Sequence, residues 1–166
     1  MLVSGRAESA GEADTALWVW AAAQGGSSQA TAWLEQNAAN GSAAAKARLA
    51  ALYETDAAST GKAGQALALF QSAAEAGDPF GQFRLAGKYA AGEGVGRDDI
   101  LAYKWANLAA VDGGHDAVAL RDAIAARMTR AQINLAQDMA REWFAGHRNP
   151  PQEPAPTRAG APPAER

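Results

Sequence analysis

The chain has no cysteine, few β-branched residues, and almost no proline before its last segment. Each scarcity removes a class of protein. Without cysteine there is no disulfide framework, no thiolate nucleophile and no thiolate zinc site. Valine and isoleucine together number 8 and are scattered, which argues against an all-β or α/β fold. No uninterrupted apolar stretch approaches the roughly 20 residues that span a bilayer. The opening residues, Met1 to Glu8, lack the apolar centre of a secretory signal. As written the chain is expected in the cytoplasm, and a periplasmic or secreted location would require a truncated N-terminus. The net charge is only −3, and no segment has the basic excess of a nucleic-acid or membrane-surface binder, so neither is an expected partner.

What is abundant is alanine, 45 of 166 residues, against 35 large apolar side chains. Alanine is the strongest helix former. An all-α chain whose helices meet through small side chains is the expectation.

Displacing the sequence by 36 residues superposes it on itself. Gly41 falls on Gly77 and Gly113, Leu49 on Leu85, Tyr53 on Tyr89, and Trp33 passes through Leu69 to Trp105. Within each unit Ala45-Leu49-Tyr53 or Gly81-Leu85-Tyr89 marks one face of a first helix at i, i+4, i+8. A glycine-bearing connection follows, Gly92-Glu93-Gly94-Val95-Gly96 in the third unit, then a second helix closed by the next glycine. Four units are expected at about 5–40, 41–76, 77–112 and 113–146, together one helical repeat domain over 1–146. Such pairs cannot bury their own apolar stripes and must stack, so the fold class is a short right-handed α-solenoid of antiparallel helix pairs. Ser28 and Asp98 or Asp99 are candidate N-caps. Thr129-Arg130-Ala131-Gln132 reads as a capping box opening a last helix to about Ala145. That helix has Ile133, Ala140 and Trp143-Phe144 on one face and Arg130, Asn134, Asp138, Arg141 and Glu142 on the other. Residues 147–166 hold six of the 7 prolines and are expected to be a disordered tail.

The third unit carries a resemblance. Gly77, Gly81, Leu85-Ala86-Gly87-Lys88-Tyr89, Gly92-Glu93-Gly94-Val95, Asp98 or Asp99, Ala102, Trp105 and Ala109-Ala110 resemble the Sel-like repeat (SLR) family, kin of the tetratricopeptide repeats. Gly81 stands where that pattern has alanine. The second unit matches in its helices and loses the G-x-G-V turn, and the first matches only in its second helix. The resemblance covers roughly residues 28–145. It implies a bacterial adaptor or scaffold that holds a protein or peptide on a concave face built by the first helices. No enzyme activity and no cofactor are implied.

Other motifs lead to the same expectation. Gly92-Glu93-Gly94-Val95-Gly96 lacks the strand and the glycine spacing of a dinucleotide fingerprint, and Ser59-Thr60-Gly61-Lys62 lacks the first glycine of a P-loop. His115, between Asp112 and Asp116, has no third ligand or nucleophile beside it, and His147 begins the tail. No catalytic or metal site is assigned. Arg48 and Arg84 lie one period apart and with Lys88 would form a basic ladder for an acidic or carboxylate-ended peptide, with Leu52 beside it. The bland alternative pairs Arg48 with Glu54, or Arg84 with Asp78. Trp18 and Trp20 lie about 200° apart on a helix, so one packs and the other faces outward. Partner binding through Trp18, Arg48, Leu52, Arg84 and Lys88 is the leading expectation. The alternatives are self-assembly through the N-terminal end, with the chain a monomer or weak dimer, and a hydrolase of the kind claimed for cysteine-rich relatives.

Overall fold

Alanine-rich helices propagate readily, so their ends have to be specified. The computed structural model describes residues 4–112 and 114–148. Among these residues there are eight α-helices and no strand: α1 (Ser4–Gln24), α2 (Ser28–Ala39), α3 (Ala43–Thr60), α4 (Ala63–Glu75), α5 (Pro79–Ala91), α6 (Asp99–Ala109), α7 (His115–Ala125) and α8 (Arg130–Arg148). A short 3-10 turn, Ala110–Asp112, links α6 to α7. Gly113 and the proline-rich tail from residue 149 lie outside the described residues.

One two-residue device ends a helix and begins the next. Gly26, Gly41 and Gly77 have φ of 90°, 100° and 90°, a left-handed conformation that glycine adopts without a Cβ clash. Their N–H groups donate to the carbonyls of Ala23, Ala38 and Ala74. The following residues, Ser27, Ser42 and Asp78, donate to the carbonyls of Ala22, Asn37 and Ala73, completing the terminal hydrogen-bond pattern. Those same three side chains then accept from the next helix, at Ala30 N (3.3 Å), Ala45 N (3.1 Å) and Gly81 N (2.6 Å). The cap of α2 is therefore Ser27 and not Ser28, because the turn uses the residue immediately after the left-handed glycine. At α6 the cap is Asp98, whose carboxylate accepts from Ile100 N and Leu101 N at 2.9 Å. Asp99 pairs instead with Arg127 and Arg97. The capping box of α8 forms in both directions: Gln132 N donates to Thr129 Oγ1, and Thr129 N donates to Gln132 Oε1.

Helices pair as α1–α2, α3–α4 and α5–α6, and each later first helix also packs on the preceding second helix, giving a stacked solenoid. The last unit differs. Both α7 and α8 pack against α6, and α8 buries Ala136 and Ala140 there. The core is alanine punctuated by large side chains. Leu49, Leu85 and Trp105 are buried, while Tyr53 and Tyr89 are half-buried against the same clusters. Phe70, Leu34, Leu85 and Ile124 are fully enclosed, each contributing about 1.5–3 kcal/mol of apolar burial.

The last helix outruns its expected end. It continues through His147 to Arg148 because its final turn has partners on α4. Trp143 Nε1 donates to Glu75 Oε2 at 3.2 Å, and His147 Nε2 lies 2.6 Å from the Glu75 carbonyl. The imidazole stacks on the Trp143 ring at 3.7 Å. His147 thus fastens the end of α8 to the α4–α5 junction.

Candidate protein-binding face

The first helices α1, α3, α5 and α7 lie side by side along one face. Its charges are organised between helices rather than along them. Glu54 of α3 is held by two cations of α5: its Oε2 accepts from the Arg84 guanidinium, and its Oε1 lies 2.5 Å from Lys88 Nζ. The Lys88 side chain is only 12% exposed and Glu54 19%, whereas Arg84 is 40% exposed.

Arg48, one turn and a half before Glu54, takes a different role. Its guanidinium lies 3.9 Å from the centre of the Phe80 ring and 5.7 Å from that of Trp20. Burial lowers its pKa, opposed by the nearby Asp78 carboxylate. Asp78 is pushed up from the usual carboxylate value by burial, against its bonds to Gly81 and Phe80 N–H and the Arg48 charge.

The Arg84–Glu54 ion pair joins residues thirty apart, six fewer than the repeat, and the Arg48 and Asp78 charges that influence each other have the same spacing. Helices α3 and α5 are accordingly staggered by roughly six residues, or about 9 Å of helix axis. The bland alternative, Arg48 with Glu54 or Arg84 with Asp78 along one helix, gives way to pairing between helices, in which Arg84 meets Glu54. Arg48, Arg84 and Lys88 therefore do not form a free basic ladder, since two share the single Glu54 carboxylate and the third lies on aromatic rings. Leu52 is 8% exposed and belongs to the core with Leu34 and Leu49, so it is not offered to a partner.

Two open clefts flank the Glu54–Lys88 bridge. One, of about 280 Å³, is lined by Phe83, Arg84, Gly87 and Leu120; the other, of about 300 Å³, by Ala63, Gly64, Leu67 and Gly94. Glu54, Lys88 and Glu93 line both.

At the N-terminal end Trp18 is 77% exposed, with Leu17 beside it 41% exposed. Trp20 packs into the core between α1 and α3. Trp18 stands one period before Glu54.

A solved structure shares this architecture. A protective antigen present in uropathogenic Escherichia coli strains, displaying an SLR fold, matches with a TM-score of 0.63 and 22% sequence identity. This chain has an SLR fold. The match covers 82% of this chain and 30% of that one, so the chain spans less than a third of the antigen's length. No family model matches the sequence, and no curated protein does.

Within the SLR fold, Glu54, Phe83, Gly87, Glu93 and Leu120 are the face residues that reading along a single helix misses. Their signal is the thirty-residue offset, which requires two helices to be aligned with their stagger known. Among the described residues no helix is long and apolar enough to cross a membrane, and no group of three metal-ligating side chains is found. His115 is exposed at the start of α7.

Proposed function

We propose that this chain is a non-enzymatic scaffold that binds a protein or peptide partner on the face built by its first helices. The observation that carries the reading is the pair of clefts on either side of the Glu54–Lys88 bridge. The opposed apolar walls of Phe83 and Leu120 and the exposed Trp18 farther along the face supply the aromatic and aliphatic anchors that dominate interface energies. A photo-reactive residue placed at Phe83 or Trp18 should crosslink the partner in cells. The same residue at Ala32 or Gln36 of α2, both exposed on a second helix, should not. Equal capture from both faces, or capture from the second helices alone, overturns the reading.

Leu17 and Trp18 together also support a second reading, self-association through α1. Sedimentation distinguishes the two, because self-association raises the weight-average mass with concentration and Trp18→Ala abolishes that rise.

A further inference from the structure

Helix α5 carries two interior glycines with opposite surroundings. A Cβ on Gly81 would sit 2.8 Å from Ala73 Cβ, so close packing of α4 on α5 requires that glycine. Nothing lies within 4 Å of the Cβ that Gly87 lacks, and its φ is not left-handed. Neither packing nor a turn explains Gly87, at a mid-helix position where glycine is disfavoured relative to alanine. One period to either side stand Ala51 and Ala123, so the equivalent positions of the neighbouring units each carry the methyl group that Gly87 lacks. What Gly87 does is leave open the floor of the first cleft, between Phe83 and Leu120.

The two clefts share Glu54, Lys88 and Glu93 and so form one trough with the salt bridge at its middle. A small ligand would fill only one of them. An extended chain alternates its side chains, so residues i and i+2 turn into the trough and the residues between them turn to its solvent side, where Arg84 and Glu93 are exposed.

The polar groups set the rest of the pattern. Lys88 is half-buried and committed to Glu54. Arg84 is more exposed and engages Glu54 through one terminal nitrogen, while a guanidinium has five N–H donors. It can take a second carboxylate. Glu93 is exposed at the middle of the trough and repels an acidic group there.

Building on the scaffold reading, we propose that the trough takes an extended segment of a protein partner reading acidic–apolar–basic–apolar. The acidic side chain reaches Arg84, and the first apolar side chain enters over Gly87 between Phe83 and Leu120. The basic residue faces Glu93, and the second apolar side chain rests on Leu67.

The test is fluorescence anisotropy of the whole chain with the labelled peptide Ser-Asp-Leu-Lys-Leu-Ser, blocked at both ends. Saturable binding is expected, weakened at least about tenfold by Gly87→Leu. Circular dichroism should show Gly87→Leu melting no lower than the parent, which separates a filled cleft from a damaged fold. Leu120→Gln, on the opposite wall, should weaken binding similarly. Arg84→Gln should weaken the Asp peptide and not its Asn counterpart. Absence of saturable binding to the parent chain, or parent-like binding by Gly87→Leu, overturns the proposal. If crosslinking from Phe83 still captures a partner in that case, the first-helix reading stands and only the recognition pattern falls.

Discussion

Gly81 of α5 lies so near Ala73 of α4 that a single added methyl would approach the Ala73 methyl to 2.8 Å and the Ala74 nitrogen to 3.1 Å. The helices are in backbone contact, and Gln82 confirms the closeness by donating from Nε2 to the Ala74 carbonyl at 3.2 Å. Gly81→Ala should therefore destabilise the fold by about 1–3 kcal/mol through overpacking. Gly87→Ala in the same helix meets no neighbour and should stabilise it by about 0.5–1 kcal/mol. Urea denaturation of the two variants measures both, and the opposite signs separate a packing glycine from one that only leaves space.

Glu54 is the hinge of charge between α3 and α5. Replacing it with glutamine leaves Lys88, at 12% exposure, without its carboxylate. The loss should be about 1–3 kcal/mol, since an unsatisfied group in a restricted environment costs more than the bond contributes. Lys88→Met removes the cation and supplies apolar stem in its place. The double variant Glu54→Gln/Lys88→Met should be more stable than the sum of the two singles by about 1 kcal/mol, which a double-mutant cycle in urea measures.

The repeat positions were legible because they are local: Gly41 and Gly77, Leu49 and Leu85, and Tyr53 and Tyr89 recur at one offset, and a glycine stop or a buried face needs only its own helix. The Thr129–Gln132 box was legible for the same reason. The candidate face was less so. Arg84 with Glu54 and Arg48 with Asp78 depend on the stagger between helices, a property of packing that a 36-residue register conceals. Leu52 shares a helix with Arg48 and Glu54, yet it is buried in the core cluster with Ala23, Leu34 and Leu49. His147 follows the expected end of α8, and its bond to the distant Glu75 carbonyl, which adds to its stacking on Trp143, is invisible along the sequence.

Two aspartates should respond to pH in opposite directions. The Asp99 carboxyl is held below the usual value chiefly by its bonds to Arg127, with Arg97 adding to the effect. The folded state then binds fewer protons than the unfolded state between the two values. This contribution is complete above the unfolded carboxylate range and is lost as pH falls through the depressed folded value. Asp78 is raised by burial, so the folded state binds more protons over its window, and stability falls as pH rises from the unfolded to the raised folded value. Measured against pH, the stability gap between parent and Asp99→Asn should narrow in acid. The parent should gain relative to Asp78→Asn, which retains an N-cap side chain, over the same descent. Parallel curves for both variants would contradict these assignments.

Trp18 and Trp20, two residues apart on α1, separate binding from folding. Trp18 is 77% exposed, so Trp18→Ala should change stability by no more than about 0.5 kcal/mol. Trp20 packs against both core clusters of α1–α4, and Trp20→Ala should cost about 2 kcal/mol or more. Its indole Nε1 is buried without a hydrogen-bond partner, an arrangement that penalises the folded state. Trp20→Phe keeps most of the apolar contact and removes that donor, so it should be far milder than Trp20→Ala and neutral or stabilising. With thermal melts establishing this order, a loss of partner capture by Trp18→Ala at unchanged stability assigns Trp18 to the contact itself. Full capture by that variant removes it from the binding face.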